Sequence, residues 1–386
     1  MNKDIKTRTV ALIIALVLAG VQGIPAVQAC EQHQEQGQAQ QAPYILSSIT
    51  MNIEFRPGVT ADINIPVYEN PLAKHRGNSI VKGKVGYAGA GFAHSSASYE
   101  PLITALFKEN LAAGARSALT DISMIFVPDM PGHGNSSMPK GMLFGDLTLQ
   151  DYANIDRLVL EGLTKNEELR KHGIKIDFAI FHSQHGLTAA MTQEQVNLKK
   201  YGIQYVILIA PAPPQQVNWS MLNRLDPYSF LPYLVADNNG MYFMLQPDAW
   251  TGFFFTKPDG TLNSELPSQD EINRYNAKAP VTTTLQLVGL EIVSFNPPTF
   301  KVNNSLRPYV SEGVFRNGPR LWFIAYGSDT IGKQDIDVIS EILTGKKNGN
   351  KNIITIPGAV HDYHLTASGS VVVAKTIHKI VGNQRD

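Results

Sequence analysis

The chain has 386 residues, with 33 Lys+Arg balanced by 33 Asp+Glu, 43% hydrophobic residues, 17% charged residues and one cysteine. Zero net charge argues against a protein that tracks nucleic-acid phosphates, and a single cysteine excludes both an intrachain disulfide and a zinc site built from several thiolates. So apolar a composition is not that of a disordered chain, and the length sets an expectation of about two domains.

Residues 1–29 read as a secretory signal. Lys3, Lys6 and Arg8 precede an apolar run, VALIIALVLAG, and a softer stretch, VQGIPAVQAC, follows. Gln22, Gly23 and Pro25 interrupt the run before it reaches the roughly 20 apolar residues of a membrane anchor. Cys30 would be the first residue after cleavage, and VQAC resembles a bacterial lipobox, with Gln28 in place of the usual small residue. Two readings stand: a lipid attached at Cys30, or ordinary cleavage after Ala29 that leaves a free thiol. Either implies export, to the periplasm, a membrane surface or the medium. Residues 30–43 are Gln-rich and predict a polar linker.

The core is expected over 44–211 and 318–386. ITMNIEF and DINIPVY alternate with period two around Pro57-Gly58, a hairpin signal. Apolar runs then alternate with helical patterns. Strands are predicted at GKVGYAG (83–89), SMIFVPD (123–129), DFAIFHS (177–183), YVILIAP (205–211), RLWFIAY (320–326) and NIITIPG (352–358). Helices are predicted at 101–115, 147–163, from about Gly186, over QDIDVISEIL, and at 367–381. This rhythm predicts an α/β fold, a doubly wound and mostly parallel sheet covered on both faces. Residues 212–317 break it with scattered aromatics and prolines, and read as a cap inserted between two sheet strands. Asn218 and Asn303 fit the N-glycosylation pattern, which matters only in a eukaryotic secretory pathway.

Open parallel sheets place their sites beyond the carboxyl ends of the strands, and the polar clusters of this chain fall there. Phe181-His182-Ser183-Gln184-His185-Gly186 forms a strand-to-helix turn with a serine at its tip, beside a helix N-terminus that favours an anion. Gly327-Ser328-Asp329 follows a strand, and His361-Asp362-Tyr363-His364 follows the last one. DMPGHGNSS (129–137) and AGFAHSSASYEPLITAL (90–106) complete the set.

With these segments the chain resembles the α/β-hydrolase family over about residues 80–210 and 318–383. DMPGHGNSS is similar to the family's D-x-P-G-x-G-x-S segment, and 90–106 to its loop that begins HG. The resemblance implies a serine nucleophile at Ser183, a general base at His361 and an acid at Asp329. It also implies an oxyanion hole from the backbone N–H groups of Phe92 and Gln184. The implied activity is hydrolysis of an ester or related acyl bond in a small, apolar or uncharged substrate, with no cofactor. No nucleic-acid partner is expected, and the membrane is met only through a lipid at Cys30.

The sequence departs from the family at three places. Phe181 and His185 occupy the positions that are glycine in G-x-S-x-G. Ala90-Gly91 stands for HG. Asp329 follows Gly327 by two residues where three is commoner, which leaves Asp335 and Asp337 as alternative acids. The first departure keeps open a fold that binds without catalysing. Peptide-bond or carbon–carbon hydrolysis would use the same scaffold. A metallohydrolase reading rests on the pairs His182/His185 and His361/His364, with His94 nearby. His133 reads as structural or pocket-lining. Trp250 and Phe253-Phe254-Phe255 read as both a small satellite core and the roof of an apolar pocket.

Overall fold

The computed structural model describes residues 44–74, 83–91, 94–112, 122–140, 142, 147–211, 233–237, 240–244, 247–275, 279–280, 306–329 and 352–382. The signal and linker, Cys30, Phe92, Asn218, Asn303, Asp335, Asp337 and the helix expected over QDIDVISEIL lie outside these residues.

The first strands are β1 (Ile45–Arg56) and β2 (Val59–Glu69). They pair antiparallel about Pro57-Gly58, where Gly58 takes a φ of +74° that L-residues avoid. Next come β3 (Lys84–Gly89), helix α1 (Glu100–Ala112), β4 (Ile122–Phe126), α2 (Leu149–Lys165), β5 (Ile176–His182), α3 (His185–Gln195) and β6 (Tyr205–Ile209). β4 stops short of the expected SMIFVPD because Pro128 has no N–H to give a ladder.

The interval 212–317 contains β7 (Tyr233–Asp237), β8 (Gly240–Met244), α4 (Pro247–Phe254), α5 (Gln269–Tyr275), β9 (Ala279–Pro280) and α6 (Leu306–Ser311). β7, β8 and β9 form a small antiparallel sheet of their own. The chain then returns to the main sheet with β10 (Arg320–Tyr326) and β11 (Ile353–Ile356), and closes with α7 (Ala367–Gly382).

The main sheet has eight strands in the order β1-β2-β4-β3-β5-β6-β10-β11. Pairing is parallel from β4 through β11 and antiparallel at β1–β2 and β2–β4. Period-two geometry sends alternate side chains of each strand to opposite faces. Ala179, Phe181, Val206, Leu208, Phe323 and Ala325 join α2 and α3 in one core, together with Leu306, Val310 and Phe315. Phe178, Ile180, Ile207, Ile209, Ile324 and Tyr326 join α1 and α7 in the other. Both faces are therefore covered, which is why the central strands read as continuous apolar runs.

Two devices fix the approach to the site. Thr148 and Asp151 form a capping box at the start of α2, and Asp151 also pairs with Arg56 of β1. Asp129, buried after β4, accepts from the Ser96 N–H at 2.8 Å and the Asn135 N–H at 3.3 Å. Gly134 is required there, because a Cβ would lie 2.2 Å from the Asp129 carboxylate. The Asp-to-Ser segment thus ties the loop after β4 to the turn that precedes α1.

Candidate active site

β5 delivers Ser183 at its carboxyl end, in a turn held by the Ser183 N–H bonding to Ile209 O of the neighbouring strand. Ser183 has a φ of +52°, a strained value for a residue with a Cβ, which typically costs about 1–3 kcal/mol. Ala210, at the end of the adjacent strand, is the other such residue among those described, with φ +42°.

The loop after β11 brings His361 over this turn. His361 Nε2 lies 2.8 Å from Ser183 Oγ, and His361 Nδ1 lies 3.0 and 3.1 Å from the two Asp329 oxygens. Asp329 follows β10 directly, so three different strand ends contribute the three groups. Burial disfavours the charged ring of His361, but the Asp329 charge and hydrogen bond, with Asp362 behind them, outweigh it and raise its pKa above the usual 6.5. Gln184 is the first residue after Ser183 and leads into α3, and among the described residues its N–H meets no acceptor. The other expected oxyanion donor, Phe92, is not described; Gly91 beside it packs against the His182 ring and the Ser183 Cβ.

The two expected metal pairs do not converge. His185 Nδ1 bonds to Ala90 O, with Nε2 3.5 Å from Asp156 Oδ2, while both nitrogens of His361 face Ser183 and Asp329. Instead His182, Asp362 and His364 gather behind the serine–histidine pair, and His94 Nε2 lies 2.8 Å from Asp362 Oδ2. All four are buried. Burial, reinforced by the neighbouring imidazoles, holds the pKa of His182 and of His364 well below 6.5. Burial works against ionised Asp362, yet His94 and then His182 and His361 hold its pKa below the carboxylate norm. The sequence grouped His182, His364 and His94 but not Asp362, which stands 268 positions from His94.

From the interval 212–317, α4 and α5 build a satellite core of Trp250, Phe254, Phe255, Ile272 and Tyr275 against Val360 and Leu365. Phe254 stacks on His361 with ring centroids 5.8 Å apart, and Trp250 lies 5.2 Å from His94. The side chain of Phe253 is outside those described. His133 is buried and lines a cleft with His94, Met130, Tyr152 and Gln184, and its ring touches neither Ser183 nor His361 among the contacts described.

Solved structures share this architecture. A peroxisomal α/β-hydrolase of Saccharomyces cerevisiae superposes with a TM-score of 0.56 at 15% identity, covering 90% of this chain and 92% of its own. A structure from work on carboxylesterases of the thaumarchaeon Nitrososphaera gargenis gives 0.54 at 14% identity, covering 87% of this chain and 100% of that one. The bromoperoxidase of Bacillus anthracis gives 0.51 at 16% identity, covering 86% and 100%. The chain has the α/β-hydrolase fold. No family model and no curated protein matches its sequence.

Within an α/β-hydrolase fold, the large residues either side of the serine turn need room, and the structure supplies it on β3. Gly89 pairs with Phe181 across the sheet, and a Cβ there would lie 2.6 Å from His185 Cδ2 and 2.9 Å from Phe181 Cδ1. The two rings stack on each other at 6.3 Å, and Tyr152 stacks on the far face of His185 at 6.2 Å. The space that small residues usually leave beside the serine is here left by a glycine one strand away.

Proposed function

We propose that this protein is an exported serine hydrolase that cleaves an ester or related acyl bond through an acyl-enzyme. The observation that carries the proposal is the hydrogen-bonded chain from Ser183 Oγ through His361 to Asp329, with the serine held at φ +52° on a strand-to-helix turn. Ser183 attacks the substrate carbonyl while His361 Nε2 takes its proton. Asp329 orients the ring and stabilises the imidazolium without accepting the proton. The Gln184 N–H, with that of Phe92, meets the developing oxyanion, each donor typically contributing about 3 kcal/mol. His361 then returns the proton to the leaving alcohol, and the same sequence with water releases the acid.

The helices that cover the sheet, the satellite core over His361 and the hydrolase and carboxylesterase neighbours support this reading. Residues 212–317 serve as its cap, and the aromatic surroundings of His361 suit an apolar or uncharged acyl group. Export follows from the signal at 1–29, with Cys30 as the lipid-attachment point.

The test is labelling with a fluorophosphonate probe, followed by hydrolysis of short- and long-chain esters. Folded wild-type protein should label, and Ser183→Ala should not, with ester turnover down at least about 10³-fold. Turnover that survives in Ser183→Ala would remove Ser183 as nucleophile. Absence of labelling in folded wild type would favour a fold that binds without catalysing. Incorporation of labelled palmitate that is lost in Cys30→Ser tests the anchor separately.

A further inference from the structure

Behind the triad, one ligating atom from each of His182, Asp362 and His364 lies within 4.8 Å of the others, in a fully buried cluster. Two of the polar atoms there, Asp362 Oδ1 and His364 Nδ1, meet no hydrogen-bond partner among the described residues. Leaving such atoms unmatched in the interior is expensive, so their closeness calls for something to bridge them. His182 Nε2, which also meets the His361 carbonyl oxygen at 3.3 Å, lies 3.3 Å from Asp362 Oδ1. That separation equals the edge of a tetrahedron whose bonds are about 2.0–2.1 Å, the length of zinc–imidazole and zinc–carboxylate bonds.

The surroundings are also those of a metal site. Asp362 Oδ2 is held at 2.8 Å by His94 Nε2, which fixes the carboxylate from outside. Tyr99 and Tyr326 flank the His364 ring at 6.2 and 6.4 Å. The donor set is two imidazoles and one carboxylate, which suits zinc or a similar first-row divalent cation and leaves a fourth position for water or a carbonyl.

We infer that His182, Asp362 and His364 form a binding site for one zinc-class divalent cation, oriented by His94. The site differs from the expected H-x-x-H pairs, taking one member of each and the aspartate between them. His182 immediately precedes Ser183, and Asp362 and His364 follow His361 along the chain, so the cation would pin the serine turn to the histidine loop. The role is structural and does not depend on the proposed hydrolase reaction.

The experiment uses the full folded protein, stripped with EDTA and checked by circular dichroism. It is titrated with Zn²⁺ and Co²⁺, and the metal retained after desalting is counted by mass spectrometry. Because the cluster is closed to solvent, the measurement is repeated after refolding from urea in the presence of each metal. The inference expects one equivalent bound with a dissociation constant below about 1 µM, visible Co²⁺ bands of tetrahedral intensity, and a Tm higher by about 3 °C or more.

His364→Gln and Asp362→Asn should each weaken binding at least about tenfold, while His185→Gln leaves it unchanged. No retained metal by either route, as when water alone fills the gap, overturns the inference. So does full affinity in His364→Gln. If the ligand variants fail to fold, the Co²⁺ spectrum of wild type decides alone, and absence of tetrahedral bands counts against the site. Fluorophosphonate labelling of the EDTA-stripped protein reports the hydrolase reading independently, and Ser183→Ala should retain the metal.

Discussion

Ser183 and His361 illustrate how much chemistry depends on single backbone and side-chain positions. The serine sits where an L-residue is strained, and its hydroxyl is held 2.8 Å from the imidazole that would deprotonate it. Replacing Asp329 by Asn keeps the shape but favours the wrong tautomer of His361, and ester turnover should fall by about 10³–10⁴-fold. The pH dependence follows from the same pair. His361 must be neutral to act as a base, and its pKa is raised above 6.5 by Asp329 acting against burial. Activity is therefore lost on acidification through a limb whose midpoint lies above 6.5, measured as kcat/KM in EDTA-containing buffer. Asp329→Asn should move the midpoint of any residual activity downward, because the largest stabiliser of the imidazolium is gone. A limb that stays in place would assign it to another group.

Between elements, the packing of β3 against the start of α3 sets what the serine turn tolerates. Gly89→Ala places a methyl 2.6 Å from the His185 ring, a rigid aromatic already stacked between Phe181 and Tyr152. Overpacking of this kind costs about 1–3 kcal/mol, which urea unfolding would read. In a His185→Ala background the added cost should shrink, and a double-mutant cycle measures the coupling. An additive result would show that the glycine serves some other purpose.

The other side of the sheet offers a second test. Asp151 caps α2 and pairs with Arg56. Burial raises its pKa, but the bonds from Arg56 and Thr148 prevail and hold it below the ordinary value of 3.8. A carboxylate with a depressed pKa contributes stability above its unfolded pKa and loses it as pH falls through the folded one. Asp151→Ala should thus cost about 1–3 kcal/mol at pH 7, with the difference from wild type shrinking below about pH 4. A difference that persists unchanged at pH 3 would assign the loss to packing.

At the scale of the molecule, most of the fold was legible because each layer writes itself locally. Apolar runs such as DFAIF and YVILI mark strands buried on both faces, and the three-and-four spacing of LTLQDYANIDRLVL marks a helix that shows one face to the core. The meeting of Ser183, Asp329 and His361 was legible because each lies at or within three residues of the carboxyl end of an expected strand, where parallel sheets carry their sites. Gly89 as the counterpart of Phe181 and His185 was not, because its meaning arises only when β3 and β5 lie side by side. The same holds for Asp362, which meets His94 across 268 positions of the chain. Periodicity describes a residue's face, and not which distant residue that face will meet. In the interval 212–317 the satellite core of Trp250, Phe254 and Phe255 was legible from its run of aromatics, but its seat against Val360 and Leu365 was not, because that contact joins distant segments.

The placement of His361 also has a bearing on when the molecule becomes competent. The proposed base lies between β11 and α7, a helix that covers one side of the core, and 178 positions separate it from Ser183. Domains generally fold as units, and synthesis delivers their N-terminal segments first. A nascent chain ending before residue 358 would already carry β5 and Ser183, yet lack the group that activates the hydroxyl. A ribosome-stalled or truncated chain of that length should not label with the fluorophosphonate probe, whereas the released full-length chain should. Competence would then wait for the segment that carries His361, and a chain cut before it would carry a silent serine.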